Sequence, residues 1–268
     1  MSEQKCLVLN WNVRGLNNKA RRKIVKDLAQ DTKCTIATLQ ETKLEEVTAQ
    51  DISETLGIKF SKNFAYLPAQ GTRGGALVAV DEDYYRISHS EFSEYTITVR
   101  VESTQCVSAW WITVVYGPQG DREKVQFLSE LRTIKSLVGD KWLLLGDFNL
   151  ILQASDKSND NLNRRLMGEF RSTINFLELK ELNLRGRKYT GQTTPPRQEL
   201  IGPFAQLNGT SCYLHPCYRH YLLWSLTIVP CYLWVQLHPT LIEVSDLRHF
   251  GQRSQDIRRL CSMLGHNQ

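Results

Sequence analysis

Lysine is absent from residues 191–268 of this 268-residue chain, although the preceding stretch is rich in it. Long apolar runs are scarce as well. None clearly reaches the roughly 18 uninterrupted residues that a membrane-spanning helix needs, and the opening "MSEQKCLVLNW" lacks the basic start and small-residue cleavage site of a signal peptide. An intracellular protein is therefore expected. The seven cysteines are an odd number at irregular spacing, which suits reduced thiols and argues against a disulfide framework. Charge excess is small: a net +5 is compatible with a polyanionic partner and equally ordinary for a soluble protein. At this length the chain has room for one large α/β domain or two small ones.

The missing lysine marks a change of vocabulary. Residues 1–190 carry 27 Lys plus Arg against 24 Asp plus Glu, and residues 191–268 carry 6 against 4, which together account for the chain's 33 and 28. The lysine-free stretch also holds five of the six histidines, four of the seven cysteines and six of the eight prolines. Such a shift at "RKYTGQTTPP" is not expected within one evolved domain.

Residues 1–190 alternate in a readable way. "KCLVLNWNV" is a β-rich apolar run, "NKARRKIVKDLAQ" has apolar residues at helical spacing, and "CTIATLQET" is again strand-like. "GGALVAV" reads as a buried strand, "YTITVRVES" as an alternating antiparallel one, and "VSAWWITVVYGPQ" as a long strand ending in a Gly-Pro turn. "DREKVQFLSELRTIKSLV" predicts an amphipathic helix with Asp121 in its first turn, followed by the buried strand "KWLLLGDFNLIL". Strands of both kinds outnumber helices, which predicts two packed sheets with helices outside.

Polar side chains stand where these strands end. Asn12 follows "LVLNW", Glu41 follows "IATLQ", Tyr116 ends "ITVVY", and Asp147 with Asn149 follows "WLLLG". Strand exits deliver side chains to a shared rim. A carboxylate and an amide there are hard oxygen ligands of the kind Mg²⁺ accepts, completed by water and substrate phosphate. A second carboxylate near another amide suits orienting a water and steadying phosphate charge. Each residue also has a plainer use: Asn12 as a turn, Glu41 as a helix start, "GDFN" as an Asx turn, and Tyr116 as packing.

In this order, "WNVRGL", "LQETKL", "VVYGPQ" and "GDFN" resemble the endonuclease/exonuclease/phosphatase superfamily. "NVRGLN", "QETKL" and "YGPQGDRE" are similar to the endonuclease domain of plant LINE-type non-LTR retrotransposons, over residues 5–190. The resemblance implies an α/β, four-layer sandwich of two mixed β-sheets flanked by helices, and phosphodiester cleavage with Mg²⁺ (or Mn²⁺). It matches Asn12 and Glu41 to the metal-binding pair, Tyr116 to the tyrosine at the scissile phosphate, Asp147 to the water-orienting residue and Asn149 to its amide partner. Double-stranded DNA is the implied partner, nicked to prime reverse transcription, and the nucleus the implied location of a functional protein. Arg14, Lys19, Arg21, Arg22 and Lys23 are candidate phosphate contacts, unless they form an ordinary solvated helix face. A small-molecule or lipid phosphoesterase of the same superfamily is the alternative, as is a non-catalytic retroelement remnant.

The closing serine-aspartate-histidine triplet of the superfamily, and the arginine-x-aspartate-arginine segment before it, do not occur. In "VSDLRHF" Ser245 and Asp246 are followed by Leu247. Loss of one general acid/base costs about 10²- to 10⁴-fold in rate. Both segments nevertheless fit a neighbouring reading frame. Ser225–Cys231 encoded as T CTG ACC ATT GTC CCC TG regroups to TCT GAC CAT TGT CCC CTG, which spells Ser-Asp-His-Cys-Pro-Leu. The same slide turns "QELIGPFAQLNG", residues 198–209, into Arg-Ile-Asp-Arg-Ala-Phe-Cys-Ser-Ala-Glu-Trp-Asp, with Thr210 supplying the last bases. Thr190-Gly191 as ACT GG is what a Thr-Trp pair becomes after losing one base. The tail is therefore read as translated out of frame after a single-base deletion near Thr190, with no assignable domain in residues 191–268.

On that reading the cluster Cys212, His215, Cys217 and His220 is no zinc site, its spacing being too compressed for a common finger. "YLLWSLTIVPCYLWVQL" is interrupted by Pro230 and reads as a strand mimic rather than a membrane segment. The last strands of the fold are expected to be missing, leaving an apolar sheet edge uncovered and the domain marginally stable.

Overall fold

The computed structural model describes residues 6–71, 73–139, 141–154 and 162–181, together with the strand segments 227–229 and 232–236. The first half builds one sheet and its helices: β1 (Val8–Asn12), α1 (Lys19–Thr32), β2 (Ile36–Gln40), α2 (Ala49–Thr55), a short 3-10 turn (Ile58–Phe60), β3 (Phe64–Gln70) and β4 (Arg73–Val80). The second half contributes β5 (Tyr85–Phe92), β6 (Thr96–Ser103), β7 (Ala109–Tyr116), α3 (Asp121–Ile134), β8 (Trp142–Asp147), α4 (Arg164–Phe176) and β9 (Leu179–Glu181). Two tail segments, β10 (Thr227–Val229) and β11 (Tyr232–Gln236), complete the order β10-β1-β2-β4-β3 in one sheet and β5-β6-β7-β8-β11-β9 in the other.

Period-two alternation sorts each strand between two cores. Val8, Ile36, Val78 and Val80 of the first sheet meet Ile97, Val99, Ile112, Val114, Leu143 and Leu145 of the second. The opposite parity, Leu9, Trp11, Ala37 and Leu39, packs beneath Val25, Leu28 and Ala29 of α1. On the far side Val115, Trp142 and Leu144 pack beneath Phe127 and Leu131 of α3 and Phe170 and Ile174 of α4. The result is the expected four-layer α/β sandwich of two mixed sheets between helices. Each fully buried aliphatic or aromatic chain is worth about 1.5–3 kcal/mol against exposure, so every layer has its own driving force.

Local chemistry sets the helix starts. The Asn18 side chain accepts from the Ala20 N–H at 2.8 Å to cap α1, and Thr48 with Asp51 forms a capping box on α2. The sequence reading does not contain α2, α4, β3, β5 or the short β9. Of these, β3, β5 and β9 are the outer strands of their sheets. Edge strands tolerate Pro68 in β3 and a register irregularity between Ile87 and His89 in β5, which blurs the alternation.

The sequence left the last strand positions empty, yet β10 runs parallel to β1, pairing Asn10 with Ile228, and β11 runs antiparallel to β8, pairing Leu144 with Trp234. Backbone hydrogen bonding at a free sheet edge needs a β-compatible segment rather than a particular sequence, and "LTIVPCYLWVQL" supplies two. The Thr190–Gly191 junction, the 198–209 segment, the Cys212–His220 cluster and "VSDLRHF" lie outside the described residues.

Candidate active site

The face-sorting that buries Val8 and Ile36 between the sheets also carries Asn12 and Gln40 to that face, since they follow at even spacing. Tyr116 follows Val114, and Asp147 follows Leu145, in the same way on the facing sheet. Parallel pairing of β7 with β8 sets Tyr116 directly beside Asp147, and parallel pairing of β1 with β2 sets Asn12 beside Gln40. Four strand exits therefore meet at one end of the sandwich.

Their side chains form one cluster. The Asn12 amide donates to Glu41 Oε1 at 2.9 Å and lies near the Asp147 carboxyl, while its Oδ1 accepts from the Arg14 N–H at 3.2 Å. The Tyr116 hydroxyl stands close enough to Glu41 and Asp147 to feel both charges. Asn149 donates its backbone N–H to Asp147 Oδ1 at 3.1 Å and its side-chain amide to the Gly117 carbonyl at 2.6 Å. Between them, Phe148 is fully buried against Phe127 and Phe170, with ring centroids 6.1 and 5.5 Å away. That anchor holds the Asp147 and Asn149 loop against the sheet.

The backbone here is strained. Arg14, Glu41, Lys43 and Asn149 all take the left-handed conformation, with φ of 52°, 52°, 56° and 50°. Asparagine accepts it readily, but Arg, Glu and Lys do so at a cost of about 1–3 kcal/mol each. Surrounding bonds over-determine it: Val13 N–H to the Gln40 carbonyl, Leu16 N–H to the Thr42 carbonyl, and Thr42 N–H to the Gly75 carbonyl at 3.1 Å. Gly75 is required for that approach. A Cβ there would fall 3.2 Å from the Lys43 nitrogen and closer still to Thr42 Oγ1.

Burial, foremost, pushes the Tyr116 hydroxyl up to about 12, and the charges of Glu41 and Asp147 add to it, so the phenol remains a neutral donor at physiological pH. Burial also lifts the Asp147 carboxyl above its ordinary range; the Glu41 charge adds, and the Asn149 N–H and the Asn12 amide pull the other way. An acid whose folded pKa is raised contributes stability below its unfolded pKa and loses it as pH rises through the folded value. Asp147→Asn is therefore expected to stabilise the protein at pH 7 by about 1 kcal/mol. In urea melts the gain should shrink toward pH ~3.9, the ordinary carboxylate value; a pH-independent difference would refute the assignment.

These residues fit a divalent cation. Two neighbouring carboxyl groups, Glu41 held by the Asn12 amide and Asp147 raised in pKa first by burial and then by the Glu41 charge, are what a cation relieves. Among the described residues no three His, Cys, Asp or Glu converge on a metal site.

Not every candidate reaches the site. Arg22 is committed elsewhere: its guanidinium pairs with Asp51 at 2.5 Å and Glu54 at 3.1 Å and donates to the Leu16 carbonyl at 2.7 Å. Arg21 donates to the Val13 and Arg14 carbonyls at 3.2 and 2.6 Å, buttressing the turn after β1. Both serve the fold, because α1 lies over that turn and beside α2. Lys19 and Lys23 are exposed on α1, and Arg14 is exposed at the rim. The sequence reading missed Lys43 and Arg73 beside the site; the glycine pair after Arg73 was the available signal. No histidine joins the site among the described residues, where His89 stacks edge-on against Trp111, far down the second sheet. No helix among the described residues is long and apolar enough to cross a membrane.

The likeness to one solved structure, the AP endonuclease LMAP, supports the architecture. The AP endonuclease LMAP from Leishmania major superposes with a TM-score of 0.51 at 14% identity, over 85% of this chain and 78% of that one. The mannosyl-6-phosphatase Bt3783 of Bacteroides thetaiotaomicron gives 0.49 at 14% identity, over 85% and 84%. The endonuclease domain of TRAS1, a telomere-specific non-LTR retrotransposon, gives 0.46 at 18% identity, over 66% and 74%. No curated protein sequence matches. The sequence profile described as "Endonuclease/Exonuclease/phosphatase family" matches residues 9–207, extending beyond Thr190. With most of its length inside that match, the chain belongs to the endonuclease/exonuclease/phosphatase family.

Proposed function

We propose that the chain descends from a divalent-metal-dependent DNA endonuclease of a non-LTR retroelement and retains its binding site with a weakened catalytic centre. The observation that carries this is the convergence of Asn12, Glu41, Tyr116 and Asp147, from four strand exits, into one cluster in which Asn12 bonds to Glu41 and Tyr116 stands beside Asp147. Glu41 and Asn12 would hold Mg²⁺, which supplies charge neutralisation at the phosphate. Asp147, oriented by the Asn149 N–H, positions the attacking water as an acceptor. Tyr116, kept protonated, donates to a phosphate oxygen once substrate is bound. Mobilising a proton near neutral pH is the step these residues serve poorly, and a histidine is the side chain suited to it.

The motifs "NVRGLN", "QETKL" and "YGPQGDRE" support DNA over a small phosphoester. The absent histidine motif supports the single-base deletion near Thr190 and a tail outside the catalytic design. Purified protein is expected to nick supercoiled plasmid slowly, only with Mg²⁺ or Mn²⁺, and Glu41→Ala and Asp147→Ala should each abolish the nicked band. Release of inorganic phosphate from inositol phosphates without nicking would replace this reading with that of a small-molecule phosphoesterase.

A further inference from the structure

We propose that Lys43 and Arg73, together with Arg14, form a continuous basic arc along the open rim of the site, which grips the backbone phosphates on either side of the scissile one in a nucleic-acid strand. The arc rests on the endonuclease reading and deepens it. Its continuity comes from three contacts between segments distant in sequence. Gly15, the residue after Arg14, lies under the aliphatic stem of Lys43, whose Cδ would be 3.3 Å from a Cβ at that glycine. The Lys43 N–H bonds to the Gly74 carbonyl at 3.1 Å, which ties Lys43 to the residue after Arg73. Gly74 in turn faces the Tyr116 ring, 3.7 Å from where its Cβ would stand. Arg73 opens β4 at the hairpin where it pairs with Gln70, so it lies at the mouth of the site, next in sequence to the glycine that faces the tyrosine ring.

The three cations share a second property. Arg22, Lys59, Lys62, Arg86, Arg100, Lys135 and Arg165 each face a carboxylate within 4 Å. Arg14, Lys43 and Arg73 form no ion pair among the described residues, although Arg14 and Arg73 are exposed and Lys43 is half-buried. Lys43 is moreover held in a left-handed conformation at φ 56°, which directs the chain around the rim. Arg14 acts through space on the Asp147 carboxyl and Arg73 on the Tyr116 hydroxyl, and positive charge placed beside catalytic groups in this way is suited to an anionic ligand. Its spread over three segments suits successive phosphates of a strand better than a single small phosphate, and such contacts position without reading sequence.

The test is binding of a short fluorescein-labelled DNA duplex in EDTA, followed by anisotropy over a salt series, with no need for turnover. Arg73→Ala and Lys43→Ala are each expected to weaken binding about five- to tenfold at low salt, and each to lower the log–log salt slope by about 0.9. Arg73→Lys should recover most of the affinity, and Lys62→Ala, at the opposite end of the sandwich, should change it less than twofold. Each variant's melting temperature is checked against the parent, so that loss of fold is not scored as loss of contact. If the parent binds duplex and Arg73→Ala with Lys43→Ala behaves like Lys62→Ala, the arc is refuted while the endonuclease reading stands. If the folded parent binds no duplex at low salt, both fall together.

Discussion

Restoring one base after the codon for Thr190 is expected to raise plasmid nicking by about 10²- to 10⁴-fold, the range a positioned general acid/base contributes. In the present chain the described site holds a phenol pushed up to about 12 and a buried carboxyl raised above its usual range, and no histidine. A phenol that high gives up its proton too rarely at neutral pH to serve as a base, which leaves Asp147 alone to orient the water and take its proton. With codons for residues 225–231 that spell Ser-Asp-His one base away, the frame-restored product would contain that segment. Its activity should fall back when Glu41 or the restored histidine is changed to alanine. Failure of a folded, frame-restored protein to exceed the present chain would show that the missing histidine is not what limits it. A gene sequence whose neighbouring frame does not spell both segments would remove the deletion itself.

The largest stability effect is expected at a residue that contacts no substrate. Gly146, immediately before Asp147, has φ 132° and lies in β8 directly beside Val115 of β7. A Cβ there would lie 2.9 Å from the Val115 nitrogen and carbonyl carbon, and nearer still to its oxygen. No side chain can move to relieve this, because the obstruction is backbone at the centre of a sheet. Gly146→Ala is expected to cost about 3 kcal/mol or more, by combining left-handed strain with a broken strand pair. A domain stable by about 5–15 kcal/mol would be left partly unfolded. Gly139→Ala, where nothing lies within 4 Å, should be nearly neutral in the same urea melts. Equal stability of the two variants would contradict the packing of β7 on β8.

The outcome at individual residues shows where sequence reasoning works. Asn12, Glu41, Tyr116 and Asp147 were legible because each ends an apolar strand run, and sheets deliver such residues to one rim. α4 is legible too, since Leu166, Phe170 and Ile174 recur at i, i+4 and i+8, but what that face packs on, the distant α3, is not. Arg22 read as a free cation because its carboxylates, Asp51 and Glu54, are 29 and 32 residues away on another helix. Arg73 and Lys43 were passed over for the converse reason: nothing local links them, and only the approach of Gly74 to the Glu41 loop makes them neighbours.

By itself, the sequence determined the family, most of the strand-helix order as far as the "GDFN" motif, the rim residues and the change of composition at Thr190, since all of these rest on periodicity and motifs that act over short spans of chain. Tertiary structure alone decided which cations are spent on the fold, which remain at the mouth of the site, and that one tail segment pairs at the edge beside β1 while the other lies between β8 and β9. Those outcomes depend on charges, backbone groups and carbonyls brought together from positions far apart in the chain, and no local pattern encodes such distances.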